Sequence, residues 1–100
     1  MSHSEVKDKI YDAIVQGPFV DTFKEVRLFG SYLSNTAKEE SDIYLLVQFE
    51  KPVSYFELAR IQAYFQNLLH KSIDLVTKSA LSPYLREQIL KEAELIYEKR

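Results

Sequence analysis

"LFGSYLSNTAKEESDIYLLVQF", residues Leu28 to Phe49, carries two signals that pull apart. Val26 and Leu28 alternate with Arg27 and Phe29, a short strand that stops at Gly30-Ser31. From Asp42 the alternation is sharper. Ile43, Leu45, Val47 and Phe49 line one face, and Asp42, Tyr44, Leu46 and Gln48 line the other. The apolar row belongs against helices, and the mixed row faces a site or solvent. Between Ser31 and Asp42 lie ten residues, enough for a loop or short helix that returns to an adjacent strand.

Outward from this stretch, the chain reads as alternating helices and strands. Val6, Ile10, Ala13 and Ile14 recur at helical spacing, and Gly17-Pro18 closes that segment. Glu50-Lys51-Pro52 breaks the second strand, and Ser54 with Glu57 forms a capping-box pattern. The helix it opens carries Leu58, Ile61, Phe65, Leu68 and Leu69 up to about His70. Its aromatics Tyr55, Phe56, Tyr64 and Phe65 are assigned mainly to the core, with a remainder for a partner surface. Ser72 to Thr77 is a third strand, and Ser82-Pro83 starts a last helix. That helix is expected to align Leu85, Ile89, Ala93 and Ile96 on one face, with Lys91 to Arg100 as its solvated side. The fold class is α/β (α+β), one small sheet covered by helices with strands parallel in places.

One hundred residues suit a single domain spanning 1–100, and 46% apolar residues are enough for a core without disulfides. With no cysteine, neither a disulfide framework nor a thiolate metal site exists. A net charge of −2 argues against a general nucleic-acid binder, which would carry a basic stripe. The start shows no basic-then-apolar leader, and no apolar run approaches about 18 residues. The expectation is a cytoplasmic protein with no membrane span.

Four residues could carry chemistry. Gly30-Ser31 after a strand is either a plain turn or a phosphate cradle, since glycine admits a phosphate close to the backbone and the hydroxyl can bind its oxygens. Asp42 is either a cap after Ser41 or a ligand. Asp74 lies inside a strand, where an unpaired carboxylate is unfavourable, so it serves a site or pairs with Arg27 or Lys71. Carboxylates converging beside a phosphate turn suit Mg²⁺-dependent phosphoryl transfer. His3 and His70 are isolated and read as a mobile terminus and a helix end.

Gly30-Ser31, ten residues, then Asp42-Ile43-Tyr44 resembles the Gly-Ser-x10-Asp-x-Asp signature of the minimal nucleotidyltransferases, relatives of DNA polymerase beta. "SYFELARIQAYFQNLLHKSIDLVTKSAL" and "PYLREQILKEAELIY" are similar to the family's later elements. The resemblance implies a polymerase-beta-like fold, a small mixed sheet of three to four strands packed with about four helices. It assigns Gly30 and Ser31 to nucleotide phosphates, and Asp42 and Asp74 to catalysis and to one or two Mg²⁺ ions. It also implies ATP as substrate and a HEPN-domain ribonuclease toxin as partner in a hetero-oligomer. There the family transfers AMP to a toxin tyrosine or covers the toxin. Two departures stand out. Tyr44 holds the place of the second motif aspartate, and a phenol with a pKa near 10 is a poor Mg²⁺ ligand. Tyr32 follows Gly-Ser where many relatives have arginine, with Lys38 as a replacement cation and Glu39 and Glu40 as spare carboxylates.

Overall fold

The computed structural model describes residues 2–30 and 42–99; Ser31, Tyr32, Lys38, Glu39 and Glu40 lie outside them. The elements are α1 (His3–Val15), β1 (Phe23–Phe29), β2 (Ile43–Phe49), α2 (Tyr55–Leu69), β3 (Ile73–Thr77), a 3-10 turn (Lys78–Ala80), α3 (Pro83–Glu92) and β4 (Glu94–Glu98). The strands lie in the order β3-β2-β1-β4. β2 and β3 are parallel, with α2 as the crossover, while β1 runs antiparallel to both β2 and β4.

Each helix starts for a local reason. Ser2 accepts from the Glu5 N–H at 3.2 Å and Glu5 reaches back to the Ser2 N–H at 3.4 Å, so the reciprocal capping box forms on α1. At α2 the structure shows the Ser54 half of the expected box, with Glu57 N–H donating at 3.1 Å. His70 ends α2 in the left-handed region at φ 55. Ser82 caps α3 with Pro83 at its first position, where a missing N–H is harmless.

The helix-facing side of the sheet behaves as its alternation requires. Val26, Leu28, Ile43, Leu45, Val47, Ile73 and Leu75 meet Val6, Ile10 and Ile14 of α1 and Ile61, Phe65 and Leu69 of α2. Burying each such large side chain contributes roughly 1.5–3 kcal/mol. Lys24 is an extra residue in β1, because Phe23 and Glu25 oppose the consecutive Phe49 and Gln48. The bulge lets both Phe23 and Val26 face the core. Tyr64 Oη donates to the Ala13 carbonyl at 2.9 Å, one of the carbonyls α1 leaves unpaired at its end. A side chain at Gly17 would collide with that hydroxyl.

Three expectations are corrected. The last helix ends at Glu92, and the residues assigned to its solvated face form β4 beside β1. Pairing satisfies β1 on its second side, which outweighs the helix propensity of Ala93, Glu94 and Leu95. Among the described residues there are three α-helices and a 3-10 turn, and the short helix allowed between Ser31 and Asp42 falls outside them. Tyr55 and Phe56 are not core: they are 91% and 86% exposed, because the buried stripe of α2 runs through Ile61, Phe65 and Leu69. His3 is not a loose terminus but the first residue of α1, bound to Glu94 of β4.

The two edges of the sheet differ. On β3, the Ile73 and Leu75 N–H groups donate to Gln66 and Gln62 Oε1 of α2 at 3.1 and 3.4 Å. β4 forms the opposite edge.

Candidate functional site

The face turned away from α1 and α2 is built in rows set by strand register. Phe29 opposes Tyr44, and Tyr44 opposes Asp74. The next row is Leu95, Arg27, Leu46 and Val76, and the third holds Glu98, Glu25 and Gln48. Residues paired in register share a face, so Phe29, Tyr44 and Asp74 stand side by side. Asp42 is two residues before Tyr44, which puts it in phase with the same row at the start of β2. Asp42 and Asp74 are both exposed, and Tyr44 and Phe29 are partly buried.

Tyr44 is packed in place. Its ring centroid is 5.8 Å from that of Phe29, at an interplanar angle of 37°. Gly30 ends β1 at φ +89, and a Cβ there would come 3.0 Å from Tyr44 Cδ2. Glycine meets both demands, since other residues rarely adopt that φ and none lacks the carbon. Nothing local in the sequence announced the Phe29 contact; it follows from register across two strands.

The third row is an ion network. Glu25 accepts from Arg27 at 2.9 Å and from Lys78 at 2.8 Å, and Lys78 also donates to Gln48 at 3.2 Å. Burial alone would raise the Glu25 carboxyl pKa, but hydrogen bonds from Arg27 and Lys78 outweigh it and hold the carboxyl below its usual range. Arg27, proposed from the sequence as a partner for Asp74, is thus engaged one row away.

The donor set does not fit a complete magnesium site. Magnesium requires hard oxygen ligands in near-octahedral array. Asp42 and Asp74 put two carboxylates on this face, while the motif position between them in the sequence holds the Tyr44 ring. Among the described residues, no group of three His, Cys, Asp or Glu side chains is arranged to hold a metal ion. A cavity of about 600 Å³ lies at the other end of the sheet, lined by the ends of β2 and β3 and the start of α2, away from these residues. Among the described residues, no helix is long and apolar enough to cross a membrane.

Comparison with known proteins bears on the family and the fold. Residues 20–100 match the model for the family "Polymerase beta, Nucleotidyltransferase". A Methanocaldococcus jannaschii protein named "Putative protein adenylyltransferase" is 34% identical over 93% of this chain and 96% of its own length. The solved structure of a "putative minimal nucleotidyltransferase" superposes with a TM-score of 0.78 at 33% identity, covering 93% of this chain and 94% of that one. The same fold occurs in a chain of the solved structure described as "tri-AMPylated Shewanella oneidensis HEPN toxin in complex with MNT antitoxin", which superposes at a TM-score of 0.71 and 18% identity over 97% of this chain and 73% of that one. A mixed four-stranded sheet that ends β1 in a glycine turn, brings Tyr44 level with Asp74 and matches the family along four-fifths of its length makes this chain a member of the polymerase beta nucleotidyltransferase family, of the minimal nucleotidyltransferase type.

Proposed function

We propose that the chain acts as a single-domain cytoplasmic antitoxin in a HEPN toxin-antitoxin pair, with attenuated transfer of AMP from ATP to a toxin tyrosine. The likeness to a fold seen in an MNT antitoxin complex and to a protein adenylyltransferase relative supports the partner and the reaction class. The register pairing of Tyr44 with Asp74 carries the attenuation. In the transfer, an acceptor phenol oxygen bonds to the α-phosphorus of ATP and pyrophosphate leaves. Asp74 takes the phenolic proton, while Gly30 and Ser31 hold phosphate oxygens and Asp42 helps to position the nucleotide. Metal ions contribute several kcal/mol to such steps and each ~1.4 kcal/mol is tenfold, so an incomplete ligand set lowers the rate about a hundredfold or more. A second reading is a silent module that neutralises the ribonuclease by covering it. The packing of Tyr44 under Gly30 favours it, because the ring is built into the site.

Co-expression with a HEPN reading frame from the same locus tests both readings. A stable complex is expected, with labelled AMP on the toxin in small amount and absent in Asp42→Ala. A toxin that neither binds nor is neutralised removes the antitoxin assignment, and neutralisation without any label selects the silent module.

A further inference from the structure

Strand β2 follows Asp42 and runs about 20 Å before it reaches Gln48, in the wall of the cavity of about 600 Å³. The gap has a cause in the sequence. Pro52 cannot donate to a strand ladder, so β2 stops at Phe49 and α2 begins only at Tyr55. The buried stripe of α2 starts at Ile61 and leaves Leu58 half-buried, so no large side chain of the first turn plugs the space by the strand ends. Tyr55 lines the mouth instead and is 91% exposed. Val47, Phe49, Val53 and Leu58 give the cavity an apolar wall. Its size falls within the range of small-molecule sites, about 300–1,000 Å³.

Charge decides what fits there. The charged residues of the lining are Glu50, Lys51 and Lys78. Glu50 faces Lys99 at 4.0 Å, and Lys78 is held by Glu25 at 2.8 Å and Gln48 at 3.2 Å. Lys51 has no hydrogen-bond or ion-pair partner among the described residues. One uncommitted ammonium beside an apolar wall suits one negative charge on an apolar body. A phosphate group, with three oxygens to satisfy, is poorly served by a single free cation. We propose that this cavity binds a small organic monocarboxylate, its apolar body against Val47, Phe49 and Leu58 and its carboxylate at Lys51. The inference stands apart from the antitoxin reading, since it uses neither the motif residues nor a toxin.

Titration of the isotope-labelled full chain with phenylbutyrate, followed by amide NMR shifts, tests it, with phenylbutanol and phenylbutylamine as the uncharged and cationic counterparts. The acid should bind at millimolar concentration or tighter, the alcohol more weakly and the amine least. The shifts should centre on residues 47–55 and 77–79. Lys51→Glu removes the attraction and adds a repulsion, so it should weaken the acid about tenfold and leave the alcohol unchanged. Lys51 is exposed, so the variant keeps its fold, which the rest of the spectrum checks. Equal binding of acid and alcohol, shifts centred elsewhere, undiminished acid binding by Lys51→Glu, or no binding of the acid overturns the proposal. Shifts at these residues that arise only with a co-expressed toxin assign the cavity to a protein contact and overturn it too.

Discussion

Gly30 is constrained twice, by a φ of +89 and by the Tyr44 ring 3.0 Å from where a Cβ would sit. Gly30→Ala is therefore expected to destabilise the fold by about 1–3 kcal/mol, read from urea unfolding. In a Tyr44→Ala background the steric part vanishes and only the backbone part stays, so the two changes should be less than additive. At this scale the sequence was informative about phase: Asp42, Tyr44 and Leu46 share a face because side chains alternate. It was silent on what stands across from them. Register between strands depends on long-range packing, which is why Phe29 beside Tyr44, and Arg27 bound to Glu25, emerged only in three dimensions.

Helix α1 is tied to the sheet by charge at Glu94 in β4, which accepts from Lys7 at 2.8 Å and bonds to His3. The Lys7 hydrogen bond is the largest influence on that carboxyl; partial burial opposes it, the His3 contact reinforces it, and the group is held below its ordinary value of 4.5. A lowered carboxylate pKa means the stabilisation is present above the ordinary value and is lost as pH falls through the folded one. Glu25 shifts in the same direction. The melting temperature should thus drop on acidification below about pH 4.5, and Glu94→Gln should flatten part of that drop in melts from about pH 6 to 3. Helix α1 was legible from its apolar periodicity and the Gly17-Pro18 stop, and α2 because the Ser54 cap and apolar periodicity agreed. β4 was not: Leu85, Ile89, Ala93 and Ile96 keep helical spacing on paper, yet Ile96 is buried as a strand residue against α1. A vacant slot beside β1 decided its conformation, and no local pattern encodes a vacancy.

Across the whole molecule, Tyr64 of α2 links the two core helices by a hydrogen bond, its hydroxyl meeting the Ala13 carbonyl while its ring stands edge-on to Phe19 at 5.6 Å. Tyr64→Phe keeps the ring and leaves the Ala13 carbonyl unpaired, an expected loss of about 1–2 kcal/mol in chemical denaturation. Gly17→Ala should lose more, because its new carbon meets both the hydroxyl and that carbonyl.

The glutamines along β3 make the sheet's two edges unequal as templates for a further strand. Gln62 and Gln66 already occupy the outward N–H groups of Leu75 and Ile73, so a strand arriving there from another molecule must first evict both side chains. A strand that extends this sheet beyond β3 must displace both glutamines, whereas at β4, the other edge, these two side chains play no part.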